Sequence, residues 1–379
     1  MPPTTCPRLP IALTDLRPGH MQCVELWQRK LGELIERSRW ILGPELEAFE
    51  SEFASFCGAA WAVGTASGTD ALTIGLWLHG IRTPEQEVIT SPLTAPFTAL
   101  AVLRAGASVR FADVDEDTLL LDPDKAAAAS TPNTAALVPV HLYGQTCDLE
   151  RWRALARQSG AVLVQDACQA HGARHRGRPL TDYSPCAAYS FYPTKNLGAL
   201  GDGGALCLAR EADREQARLL RDGGRRSGHV AETVGLNSRL DELQAAYLRI
   251  ALTHLAAWNS RRRWLARLYD EELAPIPDEL VRPVGRLSQS DHVYHLYVVR
   301  AARRGALQEF LAGRGILTGI HYPVPLHLQP AFAACGLRAG DLPVAERAAA
   351  EILSLPMGGH LGEDEVRYIG SVVREFYLG

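Results

Sequence analysis

The chain is 379 residues long, with 47% hydrophobic and 22% charged residues, enough for two to three domains, most simply one large and one small. Its 39 Lys and Arg against 43 Asp and Glu leave a formal charge of −4, which argues against a dedicated nucleic-acid binder, because neutralising phosphates takes a basic excess. No run approaches the roughly 18–20 apolar residues of a membrane span. Met1 to Pro7 holds three prolines and no apolar stretch, so no secretory leader is expected. The eight cysteines are scattered without a CxxC pair and read as reduced, mostly buried thiols, and a cytoplasmic location is the expectation.

In chain order, Gly43 to Cys57 carries Leu46, Phe49, Phe53 and Phe56 at helical spacing, with Glu45, Glu47, Glu50 and Glu52 between them. That spacing predicts a helix with one side facing a core. From Ala60 to about Ala209, short apolar runs alternate with helical stretches. Strands are expected at 61–64, 87–90, 109–112, 136–140 and 161–165, and helices at 69–79, 98–105 and 149–158, with a short surface helix at 125–130. The alternation predicts an α/β fold, a mainly parallel sheet between helices, whose ligands bind at the carboxyl ends of the strands. Beyond Ala209 the pattern turns helical. Leu240 to about Leu273 reads as a long helix or helix pair broken near Trp258 and Asn259, bridging a large domain over 1–250 and a smaller C-terminal domain over 251–379. In the latter, His295 to Arg300 begins an α+β pattern.

Four features fall at expected strand ends or helix starts. Gly64-Thr65-Ala66-Ser67-Gly68-Thr69-Asp70 is a small-residue loop opening a helix. It is either an ordinary capped helix start or an anion cradle of free N–H groups, hydroxyls and helix dipole, and lacking GK[ST] it suits one phosphate better than three. Asp166 follows an apolar run; a buried acid there needs a cationic partner, such as a protonated ring nitrogen, unless it is a helix cap or ion pair. Gln169 and His171 follow at i+3 and i+5. Ser190-Phe191-Tyr192-Pro193-Thr194-Lys195 sets a lysine in a Pro-containing turn. Lysine occurs otherwise only at Lys30 and Lys125, both in helical contexts, so Lys195 is the candidate amine nucleophile. The glycines from Gly198 to Gly204 lack the spacing of a dinucleotide fingerprint. Gly235 to Glu242 leads into the long helix, with Ser238 or Asp241 as its expected cap. A phosphate cradle, an acid for a pyridine nitrogen and a lysine for a carbonyl together meet the needs of pyridoxal 5'-phosphate.

The runs ASGTDAL, PVHLYGQ, QDACQAHGA, SFYPTKNLGALGDGGA, GLNSRLDELQAA and IHYPVPLH resemble the DegT/DnrJ/EryC1/StrS family of sugar aminotransferases, over nearly the whole chain from about Leu26 to Arg367. The resemblance implies a fold type I pyridoxal-phosphate transferase with a large domain around a seven-stranded, mainly parallel sheet. It implies a homodimer that aminates a nucleotide-linked keto-sugar with L-glutamate as donor. Lys195 would join the cofactor and shuttle protons, Asp166 would pair with the pyridine nitrogen, and Gln169 would lie over the ring. Ser67, Gly68, Thr69 and Ser190 would hold the phosphate, and Asn237 would reach it from the partner subunit. His321, Tyr322 and Tyr192 would line the sugar pocket. Gln165 stands where the family often has Glu, and Cys168 where it has Ala. Ala95 falls where relatives stack an aromatic on the ring, leaving Phe97, two residues on, as the candidate. Lys195 disfavours the sugar-dehydratase relatives, which carry His there.

The segments 243–258, 292–300 and 320–323 look most like enzymes aminating C3 of dTDP-keto-6-deoxyhexoses, with C4 as the alternative. A non-catalytic regulatory protein on the same scaffold is a further reading that the intact Lys195 and Asp166 disfavour. His292, His295, His321 and His327 do not have the H-E-x-x-H spacing and have no Cys nearby, so no metal is expected. Arg225 and Arg226, and Arg261 to Arg263, are expected to be solvated.

Overall fold

A computed structural model describes residues 9–226 and 228–379; the leader reading at Met1 to Pro7, with Cys6, falls outside the described residues. Two helices come first, α1 (Arg17–Arg37) and α2 (Pro44–Cys57), followed by β1 (Trp61–Thr65), α3 (Gly68–Leu78), β2 (Glu87–Thr90), α4 (Phe97–Ala105), β3 (Ser108–Phe111), α5 (Pro123–Ala129), β4 (Thr134–Val138), α6 (Leu149–Ser159), β5 (Val162–Asp166), β6 (Cys186–Ser190), β7 (Gly204–Leu208) and α7 (Glu211–Arg221). The chain then runs through α8 (Glu242–Leu273), β8 (Val281–Pro283), β9 (Tyr297–Ala301), α9 (Arg304–Gly313), α10 (Pro343–Glu351), β10 (Ile352–Leu355) and α11 (Glu363–Leu378).

The first seven strands form one sheet in the order β1-β7-β6-β5-β4-β2-β3. Only β7 runs against the others, pairing antiparallel with both β1 and β6. The sheet is buried on both faces. Leu72, Ile74 and Val102 of α3 and α4 pack with Val63, Val88, Val138 and Leu206 on one side, and Leu46, Phe49 and Phe53 of α2 pack with Ala187, Tyr189 and Phe191 on the other. The stripe on α2 thus faces the core as its spacing predicts, with Phe56 half-buried at its end.

A second, antiparallel sheet, β10-β9-β8, packs with α9 and α11 around Tyr269, Tyr297, Leu307, Leu311 and Ile369. Ile11 joins this core and pairs with Ile316. Helix α8 is continuous for 32 residues, correcting the expected break near Trp258 and Asn259. Asn259 is buried within it because both halves of its amide are used: Oδ1 accepts from Asn196 Nδ2 at 2.8 Å, and Nδ2 donates to His171 O at 2.8 Å. The helix gives Leu248 and Leu255 to the first core and Leu265 and Tyr269 to the second.

Arg262 is also corrected. It is buried rather than solvated, donating to the Tyr294 and His295 carbonyls at 3.0 and 3.2 Å, and burial pulls its guanidinium down to about 10. Arg225 and Arg226 pair locally with Asp222 and Glu232. Among the described residues all seven cysteines are free, and four of them, Cys23, Cys147, Cys186 and Cys207, are buried.

Candidate active site

The carboxyl ends of β1, β2, β4, β5 and β6 open on the same edge of the sheet, and each contributes to one site. After β1 the chain turns into α3. Ser67 caps that helix, its Oγ accepting from Asp70 N at 3.1 Å, so backbone N–H groups of the first turn face outward at the positive end of the dipole. Gly68 is required by close approach: a Cβ there would lie 2.7 Å from both Ser190 Cβ and Cys168 Sγ. Gly204 meets the cradle from β7, where a Cβ would come within 2.3 Å of the Ser67 carbonyl carbon. The cradle, Ser190 and Cys168 are therefore within van der Waals reach of one another. Thr69 is half-buried in the same turn.

The loop from Gly235 to Glu242 braces the cradle from beneath. Ser238 Oγ donates to Asp70 Oδ2 at 2.7 Å and accepts from Ala66 N at 3.0 Å, while Asp241, the residue before α8, makes no side-chain cap. The expected capping role of Ser238 is thus corrected: the hydroxyl serves the loop before α3. Asn237, beside it, is exposed.

Asp166 ends β5 and is buried. Its Oδ2 accepts from Thr98 Oγ1 at 2.7 Å and its Oδ1 from Cys168 N at 3.1 Å, which compensates a carboxylate out of water. Gln165 beside it points into another network. Its Nε2 donates to Leu180 O at 2.8 Å and to Ser184 Oγ, and its Oε1 meets His141 Nε2 at 2.8 Å. A carboxylate could not donate to the Leu180 carbonyl, which accounts for Gln rather than Glu at this position.

Gln169 Oε1 accepts from Tyr143 N at 2.8 Å, and its Nε2 donates to Tyr322 OH at 3.4 Å. Tyr143 OH in turn donates to His321 O at 2.5 Å, and His321 Nδ1 is 2.8 Å from Ser354 Oγ. Gln169, His321 and Tyr322, distant in sequence, thus form one wall.

Lys195 is held by a turn, its N–H donating to Tyr192 O at 2.8 Å, and its neighbour Asn196 is buried. Burial pushes the Lys195 ammonium below its usual range, while Cys168 and Asp166 oppose the shift. The same lysine depresses His171, His295 and His321, each already lowered by burial; His171 falls to about 3. Lys195, Asp166, Cys168 and the three imidazoles thus share one electrostatic neighbourhood. A lysine eased toward its neutral amine, a buried hydrogen-bonded acid and an anion cradle on one strand edge can hold a phosphorylated pyridine aldehyde and transfer protons at it.

Thr98, Tyr143, His171 and His295 are site residues that carried no site role in the sequence reading. Thr98 had one signal, its place at the start of a helix after a strand-end loop. Phe97, the stacking candidate, is 60% exposed at the first turn of α4, and Tyr192 is 52% exposed. A cavity of about 370 Å³ opens beside Lys195, lined by Asn196, His20, Tyr247, Trp258 and Arg261 among others.

A profile of the DegT/DnrJ/EryC1/StrS aminotransferase family matches residues 23–374. The chain is 45% identical over 370 residues to the dTDP-3-amino-3,4,6-trideoxy-alpha-D-glucose transaminase of Streptomyces venezuelae, covering 98% of this chain and 96% of that one. It is 40% identical over 367 residues to a pleiotropic regulatory protein of Geobacillus stearothermophilus, covering 97% and 98%. The crystal structure of S. venezuelae DesV in complex with a ketimine intermediate superposes with a TM-score of 0.94 at 43% identity, covering 98% of this chain and 99% of that one.

Proposed function

The chain belongs to the DegT/DnrJ/EryC1/StrS aminotransferase family, and on that premise we propose that it transfers the amino group of L-glutamate to C3 of a dTDP-linked 3-keto-6-deoxyhexose. It is a pyridoxal-phosphate-dependent sugar transaminase. The observation that carries the reading is the meeting of Lys195, Asp166 and the Gly68–Ser190 cradle on one strand edge. The site fits the cofactor: the space a Cβ at Gly68 would fill adjoins Ser190, and the donor set pairs a helix start with a hydroxyl.

When bound, pyridoxal phosphate supplies an aldehyde that condenses with amines and a pyridinium ring that withdraws electrons from the adjoining carbon. The first-turn N–H groups of α3, Ser67, Thr69 and Ser190 hold its phosphate. Asp166, whose two oxygens accept from Thr98 Oγ1 and the Cys168 N–H, would hold the proton on the ring nitrogen. Gln169, fixed by Tyr143 and Tyr322, orients the ring. Lys195 Nζ takes the proton from the α-carbon of glutamate and, in the second half-reaction, moves one to C3 of the sugar. His321 and Tyr322 bound the sugar side.

The reading includes a cytoplasmic homodimer in which Asn237 completes the partner's phosphate site. Its support is that Asn237 is exposed and that Val230 and Val234, on the segment before it, are about three-quarters exposed. A fully active monomer in sedimentation would overturn that part. The name of the Geobacillus relative favours a second, regulatory reading.

One experiment separates them: the absorbance spectrum of the holoprotein before and after L-glutamate, beside Lys195→Ala. A visible band that shifts to the near-ultraviolet with glutamate, and is altered in the variant, is expected. A band indifferent to glutamate favours the regulatory reading, and no band removes the cofactor. Turnover of dTDP-linked 3-keto against 4-keto sugars then decides the carbon.

A further inference from the structure

The start of α6 meets the turn at 174–178. Among the described residues, Asp148, Glu150 and His175 are the one group of at least three histidine, cysteine or carboxylate side chains whose donor atoms all lie within 4.8 Å of one another. His175 is fully buried, and its Nε2 has no hydrogen-bond partner. That nitrogen stands 3.9 Å from Asp148 Oδ1, while Nδ1 lies 3.5 Å from Thr146 Oγ1. A buried imidazole nitrogen turned toward two carboxylates without a hydrogen bond is a poor arrangement unless a cation lies between them.

We propose that Asp148, Glu150 and His175 bind a divalent first-row transition ion, with zinc as its representative. One imidazole and two carboxylates suit such borderline ions better than magnesium or calcium, which prefer oxygen alone. No thiolate joins the set, since the neighbouring Cys147 Sγ is engaged with Val140 O at 3.2 Å. A tetrahedral ion with bonds of about 2.0–2.2 Å needs donors roughly 3.3–3.6 Å apart. Asp148 and Glu150 can close that distance by rotation, because their side chains are partly exposed. Arg176, whose Nε now sits 3.1 Å from Glu150 Oε2, is exposed and swings away. Gln289 Nε2, 3.2 Å from Asp148 Oδ2, orients the carboxylate from outside.

The ion is a clip rather than a reactant. His175 bridges to Ser290, Thr146 N donates to Ser290 Oγ at 2.7 Å, and Arg176 N donates to Gln289 O at 2.7 Å. Three segments are thereby joined, and the one carrying Ser290 continues to Val293, whose carbonyl accepts from Asn196 beside Lys195. Binding at this point stabilises the folded chain by linkage and leaves the chemistry at Lys195 untouched.

The test is zinc retained by the holoenzyme after gel filtration, with affinity measured by chelator competition, in wild type, His175→Gln and Glu150→Gln. About one zinc per chain is expected, with affinity falling at least roughly tenfold in each variant and the glutamate-induced spectral shift unchanged in both. Glu150 is half-exposed, so its variant reports even if the buried His175 substitution fails to fold. Wild type without retained zinc, or both variants binding it as tightly as wild type, would overturn the proposal.

Discussion

Thr98 does more for the site than its place in the sequence suggests. It is buried, and its hydroxyl gives Asp166 one of the two hydrogen bonds that its buried carboxyl group accepts. Valine has the same shape without the donor. Thr98→Val should therefore fold normally yet bind pyridoxal phosphate about tenfold more weakly, a loss of ~1.4 kcal/mol, while Thr98→Ser restores most of it. Fluorescence titration of the apoprotein with cofactor measures this; equal affinity in Thr98→Val would show that the Cys168 N–H alone suffices. Lys195, Asp166 and the cradle were legible because each is a residue type out of place: a rare lysine in a turn, an acid after an apolar run, a cluster of small residues before a helix. Thr98 and Tyr143 were not. A threonine at a helix start is ordinary, and Tyr143 acts through its backbone N–H and through a hydroxyl that reaches a carbonyl 178 residues away.

Among the elements, α2 depends on α8 for its beginning. Gly43 precedes α2 and has no side chain to cap it, so the cap comes from the first residue of α8. Glu242, buried, accepts from Gly43 N and Leu46 N through Oε1 at 3.0 and 2.8 Å and from Glu45 N through Oε2 at 3.0 Å. The carboxylate also complements the helix dipole. Glu242→Gln turns an NH₂ toward N–H donors and should cost about 2–3 kcal/mol, read as a lower urea midpoint with unchanged slope. A change within 0.5 kcal/mol would mean that water replaces the cap. Most strands and helices of the large sheet were legible from apolar periodicity, including the parallel run from β5 to β3. Periodicity had no access to long-range satisfaction of polar groups. Trp258-Asn259 read as a break, yet Asn196 and the His171 carbonyl use the asparagine amide within the helix. Arg262 read as solvated for the same reason, its carbonyl partners lying more than 30 residues away.

Across the whole molecule, burial holds several imidazoles neutral. His141 and His171 have no exposed surface, and burial brings them to about 4 and about 3. His141 uses both nitrogens, meeting Gln165 at 2.8 Å and accepting from Cys147 N at 3.1 Å, whereas neither nitrogen of His171 has a partner. In the unfolded chain both titrate near 6.5. Below that value the unfolded state binds protons that the folded state refuses. Their contribution is therefore fully present above pH 6.5 and is lost as pH falls toward the folded values. Each depression amounts to on the order of 3 kcal/mol, so the pair removes a large part of an ordinary protein's stability before most carboxylates titrate. Unfolding free energy measured in urea should fall between pH 6.5 and 4.5 with a slope of more than two protons, because His292 and His295, also depressed by burial, add to the pair. His171→Leu takes one of those protons away and needs no hydrogen bond to replace. Its slope should drop by about one proton, ~1.4 kcal/mol per pH unit, while His141 and the other buried imidazoles supply the remainder. An unchanged slope in His171→Leu would show that His171 is protonated in the folded protein, and with it that the imidazole beside Lys195 carries charge.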